Sequence, residues 1–361
     1  MTDQRIHLVV LFGGESAEHD VSCTTAAHVL RAADPERYSI TPIGIGRDGQ
    51  WAVAEQARVA LSKGAEHLPG RLDPEGEPIS PSPMLERVAG TTSTTTQTVV
   101  LPLLHGPMGE DGTVQGLLEL AGVAYVGTGV LGSAVAMDKA MAKEVLSAAG
   151  VPQARHRALA EREIHDLALQ RVIDDLGLPV FVKPANMGSS VGVSKAETAE
   201  ALREAVTLAL EYDEMIVVEE AVHGREIEVA VLGNERPEAS LPGEIVPGDE
   251  FYSYEDKYVT DGAQLLVPAP LPDDAVEEVR ELAVRAFRAL RCEGLSRVDF
   301  FYEEQGRGFL CNEVNTMPGF TPISMYPKLW IQSGVTYSEL IDRLVDLAIE
   351  RRHRRRRNTK R

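Results

Sequence analysis

Three oxygen-bearing side chains near the C-terminus, Asp299, Glu313 and Asn315, lie in the segments RVDFFY (297–302) and FLCNEVNTMPG (309–319). Both segments read as strands, rich in β-branched and aromatic residues, with the turn-like EEQGRG between them. Glu313 and Asn315 are two apart and therefore share a strand face. A hairpin loop of three or five residues would set Asp299 opposite Glu313 on that face, and a loop of four would not. Two carboxylates and a carboxamide, with only Cys311 as a softer neighbour, suit a hard cation such as Mg2+. One such carboxylate would be an ordinary residue at a sheet rim, but three leading straight into TMPGF read as a site. Magnesium leaves part of its shell to substrate phosphates, so a phosphate-binding element must lie elsewhere in the chain.

Lys183 ends the apolar strand PVFVKPA (179–185), just before the small-residue loop GSSVG (188–192). Buried lysine is costly unless paired. At a strand end beside Ser189, Ser190 and loop N–H groups, it can hold phosphate oxygens instead. Lys139, after Met137-Asp138, is weaker alone, since lysines are common on helix surfaces. Glu219 and Glu220 end the strand IVVEE, and alternation lets one of them reach a ligand. Glu226, after Gly224-Arg225, is ambiguous alone. Glu18 in GGESAEHDVS and His105 in LHGPMGEDGT lie on loops after strands, where an open α/β sheet forms its ligand crevice. His105 alone could equally be a satisfied loop histidine.

These residues need a scaffold. Residues 6–12, 39–45 and the apolar run VVLPLLHG (99–106) read as strands, with a helix over 22–33. Residues 55–90 show no clear period, and TTSTTTQT (91–98) is a low-complexity connection. From Met137 the texture changes: helices over 139–149, 161–176 and 198–212, and strands over 179–185 and 215–222. A third texture follows, with strands over 226–232, an acidic aromatic loop over 247–262, a helix over 273–290, the hairpin, and a closing helix over 337–350. The expected fold is α/β, doubly wound at the N-terminus and α+β in the C-terminal half. GIGRDG (44–49) and GTGVLG (127–132) both match GxGxxG. The first leads into no helix, and the second lacks an acidic strand end about 20 residues on, so a dinucleotide oxidoreductase is a poor reading. A P-loop is absent.

The 361 residues carry a net charge of −19. RRHRRRRNTKR (351–361) holds eight cations and no acid, so residues 1–350 carry −27. That sign argues against nucleic acid as partner of the folded body. The basic tail reads as a disordered, solvated end. No apolar run is long enough to span a bilayer, and the first residues read as a strand rather than a signal peptide. Three scattered cysteines without CxxC suggest neither a disulfide framework nor zinc, and the cytoplasm is the expected compartment.

Eight blocks, in order, carry a resemblance: FGGESAEHDVS, LHGPMGEDGTVQG, MDKAMAK, VKPANMGSSVGVS, VVEEAVHGREIEVAVLG, FYSYEDKY, SRVDFF and NEVNTMPGFTPISMYPKLW. Together they resemble D-alanine–D-alanine ligases of the ATP-grasp superfamily, over residues 6–350. The resemblance implies three domains: a Rossmann-like 1–127, a central ATP-grasp part over 128–222 and a catalytic part over 223–350, before the tail. It implies ATP between the last two domains. Lys139 and Lys183 would bind phosphate with Ser189 and Ser190. Glu219 would reach the adenine amino group, with Glu220 beside it, Val222 would offer backbone to the ring, Phe251 would pack on it, and Glu226 would hold the ribose. Asp299, Glu313 and Asn315 would be Mg2+ ligands, for two ions that Mn2+ can replace. Glu18 would take the first D-alanine's ammonium and His105 would lie near its carboxylate. Lys257 and Ser324, with Met325, would hold the second D-alanine's carboxylate. Ser189, Tyr258 and Glu18 would link the closed acidic loop to the site. The family is expected to work as a homodimer.

That reaction explains the residue types. A carboxylate is a poor acyl donor, so ATP converts it to an acyl phosphate; metal and lysines offset the charge of the transferring group. The second amine then attacks, and Arg297 with the N–H of Gly319 resembles the pair that stabilises the oxyanion. Tyr258 in EDKY goes with dipeptide formation, leaving a D-Ala–D-lactate or D-Ala–D-serine ligase and a non-catalytic ATP-binding module as rival readings. His19 and Met325 depart from common family residues.

Overall fold

The computed structural model describes residues 5–81, 97–247 and 264–355. Phe251, Lys257 and Tyr258, most of the threonine-rich connection and the last six residues therefore lie outside the described residues.

The first sheet is built on β1 (Ile6–Gly13), whose residues Leu8 to Phe12 are fully buried, as a central parallel strand requires. β1 pairs in parallel with β2 (Tyr38–Ile45) and β5 (Thr98–Pro102), and β5 with β6 (Ala124–Tyr125). β3 (Trp51–Ala54) and β4 (Gly76–Ile79) extend the edge antiparallel, in the order β4-β3-β2-β1-β5-β6. Helices α1 (His19–Ala32), α2 (Glu55–Lys63) and α3 (Thr113–Ala121) accompany it. The parallel core is the expected Rossmann-like one. The stretch read as patternless holds α2 and β4. Its period was invisible because α2 buries only Ala57 and Ala60, while β4 is a mostly exposed edge strand that tolerates Pro78.

After α4 (Val130–Met137) and α5 (Lys139–Ala148), a second, antiparallel sheet has the order β7-β10-β8-β9. Its strands are β7 (His156–Ala160), β8 (Val180–Pro184), β9 (Ser194–Ala196) and β10 (Met215–Glu220). Helices α6 (Asp166–Leu176) and α7 (Ala199–Leu210) cover one face through Leu169, Val172, Leu202 and Val206. The helix starts are capped: Asp138, His165 and Thr198 accept N–H bonds from Met141, Ala168 and Ala201.

The third sheet runs β14-β13-β11-β15-β16, with β12 beside β11. Its strands are β11 (Arg225–Gly233), β12 (Glu238–Ala239), β13 (Gly243–Val246), β14 (Gln264–Leu266), β15 (Gly294–Glu303) and β16 (Gly308–Asn315). Alternation splits it cleanly. Ile227, Val229, Val298, Phe300 and Val314 pack on Val279, Leu282 and Phe287 of α8 (Asp273–Ala289), leaving Glu226, Glu228, Arg297, Asp299, Glu313 and Asn315 for the opposite face.

After α9 (Met325–Gln332), helix α10 (Tyr337–Arg354) returns to the first sheet: Leu340, Ile341, Leu344 and Val345 share one core with Leu8, Val10 and Phe12. The basic tail is not disordered from 351, as the sequence suggested. α10 continues to Arg354, and Arg351 is buried at 3% exposure, its guanidinium 4.0 Å from the centre of the Tyr125 ring. It donates to the carbonyls of Tyr125, at 2.8 Å, and Gly127. Arg354 and Arg355 both pair with Glu293. Cations are favoured at a helix C-terminus, and here the carbonyls at the end of β6 give the first of them a buried seat.

Candidate active site

The hairpin of the third sheet fixes the candidate metal ligands through an irregularity. Glu303 pairs with Gly308, so the loop has four residues, the length that in a regular ladder would set Asp299 against Asn312. Instead the register shifts between Asp299 and Phe300; Asn312 is left over as a β-bulge and Asp299 faces Glu313. Cys311 and Val314 both point into the core, three residues apart, and Glu313 and Asn315 turn to the polar face. The broken apolar period Phe309, Cys311, Val314 is the signal in the sequence that marks the bulge. Asn312 is not wasted: its Oδ1 accepts from Lys183 Nζ at 3.1 Å.

Asp299 is held by a fork. Arg297 Nε and Nη2 each donate to one of its oxygens at 2.7 Å, and Asn315 Nδ2 donates at 2.9 Å. Glu228, across the ladder, pairs with Arg297 Nε at 3.0 Å. Burial works against the Arg297 charge, but Asp299 and Glu228 outweigh it and push the guanidinium well above its usual range. Asp299, Glu313 and Asn315 form an all-oxygen set on one face, a donor chemistry that fits a hard divalent cation. No group of three or more His, Cys, Asp or Glu side chains able to hold a metal exists among the described residues, so the amide of Asn315 is needed to complete any such set.

Facing this hairpin are the cations. Lys183, on β8, donates to Glu219 Oε2 at 3.0 Å as well as to Asn312. Lys143, one turn beyond Lys139 on α5, pairs with Glu219 Oε1 at 3.1 Å. Burial pushes the Glu219 carboxyl up, yet Lys143 and then Lys183 overcome it and hold it down at about 2. Lys139 Nζ reaches the Met187 carbonyl at 2.5 Å; burial lowers its pKa, opposed first by Glu313. Glu220 points the other way. Its carboxylate is clasped by Arg155, at 2.7 Å, and Arg307, at 2.5 Å, and so is already engaged by two guanidinium groups. Val222 lies two residues past the end of β10. Glu226 is on the polar face of β11, opposite Phe301.

Loops from the first sheet close the far side. β1 ends at Gly13 with φ +92°, where a Cβ would lie 2.2 Å from the Ile45 carbonyl oxygen, so only glycine fits the turn. Ser22 Oγ accepts from Gly13 N at 2.8 Å and donates to the Leu103 carbonyl, which ties the loops after β1 and β5 together. Glu18 occupies the N-cap position of α1, and its side chain makes no capping hydrogen bond. A Cβ on Gly188 would stand 3.6 Å from Glu18 Oε2 and 3.9 Å from the Gly106 Cα, so the GSSVG loop meets both N-terminal loops. Ser189 and Ser190 take left-handed conformations, φ 51° and 59°, and the loop's base is anchored where Asn186 N donates to Asp213 at 2.7 Å.

The LHGPMGEDGT loop reaches the segment after β16. His105, 4% exposed, donates from Nδ1 to the Met317 carbonyl at 3.0 Å, and its Nε2 has no hydrogen-bond partner among the described residues. Glu110 accepts the Gly106 N–H at 2.6 Å and the Met317 N–H at 3.1 Å. Burial, then the charge of Glu18, push the Glu110 carboxyl up to about 8. Beyond Met317, a Cβ on Gly319 would be 3.2 Å from Ser324 Oγ, which also meets the Thr321 hydroxyl at 2.7 Å. Met325 is a correction: its side chain is 6% exposed and packs into the core against Gly243, leaving only its main chain for a substrate.

Glu18, His105, Lys139, Lys183, Glu219, Arg297, Asp299, Glu313, Asn315 and Gly319 are thus borne on loops and strands that meet through Gly188, Met187, Asn312 and Met317. The sequence reading missed Glu110, Lys143, Glu228 and Asn312. All four lie inside quoted motifs, but nothing in their spacing says which main chain or side chain they meet.

The family model described as "D-ala D-ala ligase N-terminus" matches residues 7–128, and "D-ala D-ala ligase C-terminus" matches residues 145–346. A curated D-alanine--D-alanine ligase of Arthrobacter sp. strain FB24 is 48% identical, covering 96% of this chain and 94% of that protein. The solved D-alanine-D-alanine ligase from Coxiella burnetii has a TM-score of 0.81 at 34% identity, covering 97% of this chain and 96% of that one. The VanG D-Ala:D-Ser ligase from Enterococcus faecalis has 0.80 at 34% identity, covering 96% and 100%.

Proposed function

The chain belongs to the D-alanine–D-alanine ligase family, with the ATP-grasp fold, and from that premise we propose how its residues divide the reaction. It joins two D-alanines to D-alanyl-D-alanine using ATP, a step of peptidoglycan precursor synthesis. One observation carries the assignment of the site: Lys183 donates to Asn312 of the hairpin and Lys139 lies within the field of Glu313, beside the face that bears Asp299, Glu313 and Asn315.

ATP fits between the second and third sheets. Lys139 and Lys183 bind its phosphates with Ser189 and Ser190, Glu219 accepts the adenine amino hydrogens, Val222 offers its main chain, and Glu226 takes the ribose. Phe251 covers the ring. Asp299, Glu313 and Asn315 would hold Mg2+, two ions in our reading, which would supply Lewis-acid charge to the transferring phosphoryl group. Mn2+ satisfies the same oxygen set.

Glu18 accepts the ammonium of the first D-alanine, and His105 lies by its carboxylate; to donate there, Nε2 has to carry a proton, because Nδ1 is committed to Met317. The carboxylate gains the γ-phosphoryl group and becomes an acyl phosphate. Lys257 and Ser324, with the Met325 main chain, hold the second D-alanine's carboxylate. Its amine attacks the acyl carbon, Arg297 and the Gly319 N–H donate to the oxyanion, and phosphate leaves. Ser189, Tyr258 and Glu18 join the acidic loop to the site and exclude water that would hydrolyse the acyl phosphate. We place the enzyme in the cytoplasm, where ATP is available and where Cys23, Cys292 and Cys311, all buried, stay as thiols. A homodimer is the assembly to expect, and light scattering in solution tests it.

The D-Ala:D-Ser ligase among the structural neighbours makes D-serine the competitor to examine. Incubation with ATP, Mg2+ and equal D-alanine, D-serine and D-lactate should yield ADP and D-alanyl-D-alanine as main product. A D-serine dipeptide or D-lactate ester as main product would refute the substrate assignment.

A further inference from the structure

Lys143 has no part in the reading above, yet it is among the most deeply buried charges in the protein, at 2% exposure. Its ammonium lies 3.1 Å from Glu219 Oε1, and it enters from α5 behind the site, one turn beyond Lys139. Lys183 approaches the other oxygen of the same carboxylate from the cleft side, with a side chain 14% exposed. One buried carboxylate is thus shared by two ammonium groups of different mobility. Lys143 is enclosed. Lys183 is already divided between Glu219 and Asn312 Oδ1, at 3.0 and 3.1 Å, on the side where the hairpin opens.

We propose that Lys143 is the standing counter-ion of Glu219, a positioning residue that lets Lys183 leave Glu219 for the nucleotide's phosphates while Glu219 remains an ionised acceptor for the adenine amino group. The proposal rests on the reading of Glu219 and Lys183 given above. Its logic is electrostatic. A carboxylate that is 3% exposed cannot stay charged without a partner. Lys183 cannot remain that partner and also turn its three donors to phosphate. If Lys183 were the only cation, each ATP bound would strand Glu219, which would then take up a proton and become able to donate. A donor at that position no longer selects an amino group over a carbonyl. With Lys143 behind it, the carboxylate keeps its charge, and the pair of lysines leaves one positive charge over to meet the polyphosphate.

The test is calorimetric binding of ATP and of ITP, which carries a carbonyl in place of the adenine amino group, to the full chain with Mg2+ and no D-alanine. In Lys143→Met, ATP affinity should fall about tenfold and ITP affinity clearly less, so the ATP/ITP ratio narrows by at least about threefold. In the overall reaction the KM for ATP should rise while the KM for D-alanine stays unchanged. An unchanged ratio, or an equal loss for both nucleotides, would overturn the proposal. Glu219→Gln serves as the control for the underlying reading: if it keeps the wild-type ratio, Glu219 does not read the base, and that reading fails first. The double variant Lys143→Met/Glu219→Gln removes both buried charges, so it tests the idea even where Lys143→Met alone does not fold. It should bind ATP as Glu219→Gln does; a further loss beyond about threefold means Lys143 acts by another route and sinks the proposal.

Discussion

Glu110 holds the main chain of Met317: its Oε1 accepts the Met317 N–H at 3.1 Å, while His105 donates to the carbonyl of the same residue. A loop from the first sheet therefore grips the segment between the metal ligands and Gly319. In Glu110→Ala the N–H groups of Gly106 and Met317 lose their acceptor, at about 1–3 kcal/mol each. The expected result is a lower thermal midpoint and a D-alanine kcat/KM reduced at least about tenfold, with ATP binding retained. Unchanged steady-state kinetics would show that the grip does not position the substrate loop.

The two carboxylates of the hairpin should respond differently. Glu313→Gln should abolish ADP release and leave the unfolding midpoint close to wild type. Asp299→Asn should lose activity and also about 3–5 kcal/mol of stability, because Arg297 keeps its burial but loses its two-pronged partner. Urea unfolding of both variants distinguishes them. Equal midpoints would contradict the role given to the Arg297–Asp299 fork.

Glu110 and Glu219 predict opposite pH dependences for the metal-free protein. The Glu110 carboxyl rises from an ordinary 4.5 to about 8 on folding, so the native state holds that proton more tightly. Its contribution is complete below 4.5 and is lost as pH rises through 8. Glu219, lowered to about 2, contributes above 4.5 and loses that contribution as pH falls through 2. Unfolding free energies measured between these limits should show a shallower alkaline decline in Glu110→Gln and a shallower acid decline in Glu219→Gln. Parallel curves for wild type and variants would refute the assignments.

Much of this site is legible in the sequence because its chemistry is carried by adjacent residues. Glu313 and Asn315 share a face by strand alternation alone, and Lys183 with the GSSVG loop reads as a phosphate cradle, the role proposed for it above. What fails is whatever depends on an irregular count or a distant partner. The four-residue hairpin loop argued against pairing Asp299 with Glu313, and only the bulge at Asn312 restores it. Alternation alone leaves open which of Glu219 and Glu220 can reach a ligand, and it is Arg155 and Arg307, distant in the chain, that engage Glu220. Met325 follows a site serine but faces the core, and Arg351 opens a basic run but is buried. In each case a contact with a residue far away in the chain decides.

Arg351 gives a last prediction. Arg351→Met leaves the carbonyls of Tyr125 and Gly127 without their guanidinium, and stability should fall by about 2–4 kcal/mol. The readout is the urea midpoint, with ADP release per folded molecule little changed. A midpoint equal to wild type would return the basic end to the status of a solvated tail.

The packing of α10 on β1 also bears on how the chain is made. Synthesis runs from the N-terminus, so Leu8, Val10 and Phe12 emerge some three hundred residues before Leu340, Ile341 and Leu344, which complete their core. Until then that face of the first sheet is covered only in part, by Ala26, Val29 and Leu30 of α1. It cannot be sealed until α10 clears the ribosome and Arg351 reaches the end of β6. Nascent chains halted upstream of α10 should accordingly be the species that chaperones hold.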